Sequence, residues 1–126
     1  MTNYRFGQTW GASWFADGTH ICYTHEQSIV VLNVESGATR EFPSPLEGHT
    51  VRTPAVSPHG DRVVFQVHGS GVWLLDLRSG RMRPMLDDRT AEEFAWSPDG
   101  RLVAFHSRRG GEWRIWTMRT DGPFTP

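Results

Sequence analysis

Apolar and polar positions alternate along the chain in short runs that polar turns separate. One stretch reads "FAWSPDGRLVAF" from Phe94 to Phe105, and a related one reads "PAVSPHGDRVVF" from Pro54 to Phe65. A weaker copy, "ASWFADGTHICY", comes earlier in the chain. Short alternating runs bounded by Gly, Pro, Asp and Ser predict β-strands joined by tight turns. The pattern therefore predicts an all-β chain with an internal repeat.

The turn glycines of the three copies define the repeat length. Gly18, Gly60 and Gly100 are separated by 42 and then 40 residues. Two apolar runs follow each glycine and end at a further polar turn, "ESG", "RSG" or "TDG". Four-stranded units repeated at this period are typical of β-propeller blades. We therefore expect three blades of four short antiparallel strands, at approximately residues 10–42, 51–86 and 92–126.

Aromatic side chains recur at equivalent positions of the repeat. Tyr23, Phe65 and Phe105 occupy one position on the second strand of each unit. Trp14 and Trp96 occupy another position, on the first strand. Large aromatic side chains contribute most to the stability of packed cores, so we predict that all five form the core between blades.

The third copy carries a family resemblance. "AWSPDGRLVAFHSRRGGEWRIWTMRTDG", which ends at Gly122, resembles the blade repeat of the TolB-type, WD-like β-propellers. In that family Ser-Pro-Asp-Gly joins the first two strands of a blade. The second copy has His59 in place of the turn aspartate, and the first has Phe-Ala-Asp-Gly at 15–18. The resemblance implies the propeller fold over nearly the whole chain, but it implies no single activity, because the scaffold serves many tasks.

Propellers of this family usually close with six or seven blades, so the resemblance implies that three blades belong to a larger ring. The repeat also stays in phase across the chain ends, since 44 residues separate Gly100 from Gly18 of a following copy. We predict that residues 1–126 form one half-propeller domain, with residues 1–6 completing an outer strand. Two copies would then close a six-bladed ring as a homodimer. The phase is equally compatible with a truncated or engineered piece of a longer propeller.

The composition bears on partners and location. The net charge is −1, and the 13 basic residues, all of them arginine, are balanced by 14 acidic ones. This balance lacks the positive surface that nucleic acids and anionic membranes require, so we expect neither as a partner. Cys22 is the single cysteine, and the first residues lack an apolar signal segment. We therefore expect a cytoplasmic protein without an internal disulfide, although a chain whose signal peptide had been removed would have the same sequence features.

Motifs for catalysis are absent from the sequence. The chain has no lysine, which excludes a P-loop lysine and Schiff-base chemistry. The six histidines show no metal-binding spacing: His20, His25, His49, His59, His68 and His106. We predict no catalytic residue, no cofactor and no metal, and hence a non-enzymatic interaction or structural module. The alternative, implied by related families, is a propeller that accompanies a peptidase or carries lyase chemistry.

The strand nearest the axis of a propeller lines the mouth of the channel, where ligands and partners of propellers bind. Aligning the copies on their first strands places Arg52 and Glu92 at one position of neighbouring blades. Either they form a salt bridge, or Arg52 from two copies binds an anion. We predict ligand or protein contacts at this mouth from Trp10, Arg52, Thr53, Glu92 and Glu93.

Overall fold

A computed structural model of the chain describes residues 11–120, in which three antiparallel sheets follow one another along the sequence. Each sheet is built from one continuous stretch, and its strands pair in chain order. The prediction of an all-β chain with consecutive antiparallel units is confirmed. Within residues 11–120 no helix is long and apolar enough to cross a membrane.

Each sheet corresponds to one copy of the repeat and is called a blade below. Blade 1 contains β1 (Ala12–Trp14), β2 (His20–His25), β3 (Ser28–Asn33) and β4 (Thr39–Pro43). Blade 2 contains β5 (Val51–Val56), β6 (Arg62–Val67), β7 (Gly71–Asp76) and β8 (Met82–Leu86). Blade 3 contains β9 (Glu92–Trp96), β10 (Leu102–Ser107) and β11 (Arg114–Arg119). The predicted outer strand of blade 3, from residues 121–126 and 1–6, lies outside the described residues.

The turn between the first two strands is held by its own side chains. In blade 3 the hydroxyl of Ser97 donates to Asp99 at 2.6 Å, and the same carboxylate accepts from a backbone N–H after the turn. Blade 2 has His59 at the position of Asp99. There Ser57 donates instead to Asp61, at 2.8 Å. The departure from the motif is therefore compensated two residues later, and the turn keeps its geometry.

Two apolar clusters hold neighbouring blades together. Phe65 is fully buried in the cluster between blades 1 and 2, and Phe105 is buried in the cluster between blades 2 and 3. Tyr23 is buried in a third, smaller cluster with Val30 and Leu32, on the other side of blade 1. Successive side chains of a strand point to opposite faces. Blade 2 therefore contributes side chains to both interfaces. The adjacent residues Val63 and Val64 of β6, for example, belong to different clusters.

The two repeat-related tryptophans have different surroundings. Trp96 is half-buried and packs against the cluster between blades 2 and 3. Trp14 is 63% exposed in the single chain, so its predicted packing between blades stays a prediction about the ring. Trp14 pairs with Ile21 across the sheet and faces away from blade 2. Among residues 11–120 no further blade lies on that side.

Candidate functional site

The innermost strands share a distorted backbone at the predicted mouth of the channel. Gly11, Thr53 and Glu93 occupy the same repeat position and have φ angles of 95°, 50° and 59°. Pairing shifts register beside two of these positions, between Arg52 and Ala55 and opposite Glu93. A β-bulge of this kind turns the strand and re-aims its side chains. Non-glycine residues in the left-handed region are costly, and such strain concentrates at functional positions.

The structure places Arg52 and Glu92 at one register position of neighbouring inner strands. Arg52 lies opposite Gln66 in blade 2, and Glu92 lies opposite His106 in blade 3. Arg52 is half-buried, whereas Glu92 is exposed. The predicted set Arg52, Thr53, Glu92 and Glu93 thus lies along the starts of two adjacent strands, and Trp10 lies outside the described residues.

A cluster that the sequence did not reveal lies beside the bulge of blade 3. Glu93 Oε2 lies 3.9 Å from Nδ1 of His106. The His106 ring stacks against Trp113, with the ring centroids 4.3 Å apart, and the Arg108 guanidinium lies 5.8 Å from the Trp113 ring. His106 lies on β10, and Trp113, seven positions later, lies just before β11. Only the pairing of β10 with β11 brings them together, so no sequence motif could have found the cluster.

Asp88 is the centre of a buried polar network, although an acidic loop residue is expected to be solvated. It is 6% exposed and accepts hydrogen bonds from the Ser107 hydroxyl and from both the hydroxyl and backbone N–H of Thr90. Burial opposes ionisation of Asp88, but these hydrogen bonds outweigh it and hold the pKa of the carboxyl below its ordinary value. The Gln66 amide donates to the Asp88 and Ala91 carbonyls at 3.1 and 2.6 Å. The network thereby holds the segment that enters β9.

A cleft of about 330 Å³ lies between blades 1 and 2. Within it, Nδ1 of His20 lies 2.8 Å from the Asp17 carboxylate. A backbone hydrogen bond from Thr19, together with the His20 side chain, lowers the pKa of Asp17. Residues from both blades line the cleft, among them Phe15, Asp17, His20, Arg40, His59 and Leu77.

His20 and its equivalent in blade 2 make different contacts. In blade 2 the equivalent residue is Arg62, which reaches across to blade 3 and donates to Thr120 Oγ1 at 3.1 Å and to the Gly100 carbonyl at 2.8 Å. His20 is shorter and turns back to Asp17 on its own blade. An open cleft of about 430 Å³ lies beside Arg62 as well, so the two clefts differ in the polar groups at this position.

The residues that line the cleft include a histidine–aspartate pair but no hydroxyl or thiol. A histidine–aspartate pair requires a hydroxyl or thiol nucleophile within reach, and no residue lining the cleft carries one. Among residues 11–120 no three histidine, cysteine, aspartate or glutamate side chains come together to hold a metal ion. Burial raises the pKa of the Cys22 thiol to about 12, which keeps it protonated and unreactive.

No protein-family model matches the chain, but solved structures do. TolB from Acinetobacter baumannii matches with a TM-score of 0.76 and 22% identity, over 92% of this chain and 31% of that chain. The β-propeller domain of the Trilobed protease from Pyrococcus furiosus matches with a TM-score of 0.70 and 20% identity, over 95% of this chain and 42% of that chain. A chain of the Nidogen/Laminin complex matches with a TM-score of 0.73 and 13% identity, over 90% of this chain and 45% of that chain.

TM-scores of 0.70 to 0.76 show that these structures have a fold similar to that of this chain. At identities of 22% and below, the likeness concerns the fold. The chain spans less than half the length of each of these three structures. It therefore has the β-propeller fold and forms consecutive blades similar to those of TolB.

Proposed function

We propose that the chain is a non-enzymatic propeller module and that two copies assemble into a six-bladed ring. The observation that carries this proposal is the exposure of apolar side chains on the outward sides of the end blades. Trp14 of blade 1 is 63% exposed, and Ile115 and Leu102 of blade 3 are 72% and 39% exposed. Exposed apolar patches of this kind mark interaction surfaces.

Ring closure explains why these side chains occupy interface positions of the repeat. Leu102, Ala104 and His106 alternate with Val103 and Phe105 along β10. Val103 and Phe105 belong to the cluster with blade 2, so Leu102 and Ala104 point to the opposite side. In blade 2 both sides of the second strand are covered by neighbouring blades. A second copy would cover the equivalent sides of blades 1 and 3.

The molar mass in solution tests this function. Light scattering over a range of concentrations should give about twice 14.3 kDa. A folded monomer at every concentration would contradict self-assembly. A trimer would contradict the six-bladed ring but retain assembly between blades.

Within the ring, we place the binding surface for a ligand or protein partner at the mouth of the channel. Thr53 and Glu93 hold strained backbone there, beside Arg52 and Glu92. Two copies would present each of these residues twice around the axis. The arginine guanidinium is suited to carboxylates and phosphates, which it binds through paired hydrogen bonds.

A second candidate is the propeller part of a longer enzyme. It is favoured by the similarity to the propeller domain of the Trilobed protease, of which this chain covers 42%. In that case further blades of the same polypeptide would cover Trp14 and Leu102. Sequencing the gene on both sides of these codons, and testing the full product for peptidase activity, distinguishes this candidate from a self-assembling module.

A further inference from the structure

The three blades present equivalent groups at the positions where one blade meets the next. A backbone hydrogen bond near the first turn identifies them. The backbone N–H of the residue that follows the first strand donates to the carbonyl of the first residue of the second strand. This acceptor residue is His20 in blade 1, Arg62 in blade 2 and Leu102 in blade 3. The preceding first-strand position is Trp14, Val56 or Trp96. One residue before that is Ser13, Ala55 or Ala95.

The two interfaces within the chain show how these groups combine. Between blades 2 and 3, the indole N–H of Trp96 donates to the Ala55 carbonyl at 2.9 Å. Between blades 1 and 2, the backbone N–H of Val56 donates to the Ser13 hydroxyl at 3.2 Å. Tryptophan therefore lies against alanine, and valine lies against serine.

The outward sides of the end blades carry a matching pair. Blade 1 presents Trp14, and blade 3 presents Ala95, which is also exposed. This is the combination found between blades 2 and 3, where the small alanine leaves room for the indole. The serine–valine combination occurs inside the chain and does not compete for these sides.

A second pair of positions also matches. Between blades 2 and 3, Arg62 lies over the Trp96 ring, 4.8 Å from its centroid, and bonds the Thr120 hydroxyl. The residue equivalent to Arg62 in blade 3 is Leu102, and the residue equivalent to Thr120 in blade 1 is Val34, as their backbone hydrogen bonds show. At a junction between blade 3 and blade 1, the hydrogen-bonded pair Arg62–Thr120 would thus be replaced by the apolar residues Leu102 and Val34. An unrelated partner would have no reason to match both substitutions.

We propose that blade 3 of one copy packs against blade 1 of a second copy, with the indole N–H of Trp14 donating to the Ala95 carbonyl across the junction. Leu102 packs on the Trp14 ring and against Val34. This arrangement rests on the proposed self-assembly and specifies its contact. A two-fold ring would contain the junction twice, so each substitution acts at two places.

The first test compares two tryptophan-to-phenylalanine variants by sedimentation equilibrium. Trp14→Phe keeps an aromatic ring but removes the indole donor, and we expect the dimer dissociation constant to rise about fivefold per junction. Trp116→Phe is the matched control, because Trp116 pairs with Phe105 on the side of blade 3 that faces blade 2. Equal effects of the two variants would overturn the junction.

The second test rebuilds the junction from the interface between blades 2 and 3. Leu102→Arg places a charge against Val34, and we expect the dimer dissociation constant to rise by at least about tenfold. Adding Val34→Thr supplies the hydroxyl that Arg62 finds in Thr120, and it should restore most of the affinity. Leu102 is already partly exposed, so the single variant should fold, and circular dichroism checks this.

The outcomes separate the two proposals. A monomeric wild-type chain overturns both. A wild-type dimer that none of these substitutions weakens retains self-assembly but overturns this junction. A trimer that Trp14→Phe weakens retains the junction but overturns the six-bladed ring. Loss of affinity in Leu102→Arg without rescue by Val34→Thr would contradict the contact between Leu102 and Val34.

Discussion

The indole nitrogen of Trp96 lies 2.9 Å from the carbonyl oxygen of Ala55, and this hydrogen bond joins the innermost strands of blades 3 and 2. The Arg62 guanidinium lies over the same ring, 4.8 Å from its centroid, and donates to Thr120 and Gly100. One tryptophan is therefore held by a hydrogen bond and a cation–π contact from the neighbouring blade. Such contacts specify how two blades are placed, in addition to the apolar cluster between them.

Removing this donor should loosen blade 3. Trp96→Phe leaves the Ala55 carbonyl without its indole partner, and we expect the free energy of unfolding to fall by about 1 kcal/mol. Urea denaturation followed by circular dichroism measures the change. Trp116→Phe is the control, since phenylalanine keeps the aromatic face that Arg109 lies over. An equal loss in both variants would show that the bond to Ala55 is unimportant.

The core between blades 1 and 2 should depend strongly on Phe65. This ring is 0% exposed, so Phe65→Ala removes buried apolar surface and leaves a cavity. We expect a loss of about 3–5 kcal/mol in the free energy of unfolding. Leu102→Ala, at a partly exposed position of the next blade, should cost much less in the monomeric state. A loss below about 1 kcal/mol for Phe65→Ala would refute the packing described for this face.

Gly71 should tolerate no side chain. A Cβ atom there would lie 2.3 Å from the Leu86 carbonyl oxygen and 3.0 Å from the Asp88 nitrogen, both of which belong to the backbone. Gly71→Ala must therefore displace β8 from β7, and we expect a loss of about 1–3 kcal/mol in the free energy of unfolding. Gly37→Ala is the control, because Gly37 has a φ of 80° but no atom near its Cβ position. An identical cost at both positions would indicate backbone strain without a clash.

Acid should destabilise the fold partly through Asp88. Its pKa in the folded chain lies below the ordinary 3.8, so the unfolded chain takes up the proton first as the pH falls. The stability from ionised Asp88 is therefore present above pH 3.8 and is lost as the pH falls through the lowered pKa. Asp88→Asn should flatten the acid limb of a plot of urea midpoint against pH. Asp87→Asn, at the exposed neighbour, is the control for removing a carboxylate from this loop, and equal flattening by both variants would contradict the role of the hydrogen bonds to Asp88.

Anion binding tests the proposed site at the channel mouth. If Arg52 serves a ligand, Arg52→Ala should abolish the binding of inorganic phosphate, and Glu92→Ala should strengthen it by removing a negative charge nearby. If the two residues act structurally, each substitution should lower the free energy of unfolding and neither should affect phosphate. Calorimetric titration of the wild type and both variants measures binding. No response in any of the three would contradict an anion site.

Local features of the fold follow from local sequence. The turn at Ser97 and Asp99 is held by groups within a few positions of one another. The alternation along β10 likewise predicts that Val103 and Phe105 share one side. Repeat alignment also brought Thr53 and Glu93 to one position. Their left-handed backbone was not predictable, because only Gly11 at the equivalent position is a residue type that favours it.

The amino-acid sequence by itself therefore determined the repeat, its turns and the alternation of buried and exposed positions, because neighbouring residues decide these features. The tertiary structure decided which equivalent residues meet a neighbouring blade. Trp14 and Trp96 share a repeat position, yet Trp14 is exposed while Trp96 bonds Ala55. Asp88 is buried against Ser107, which lies 19 positions later in the chain and donates a hydrogen bond to it. Burial and hydrogen bonding of this kind depend on the residues of another strand or blade, which the order of the chain alone does not place.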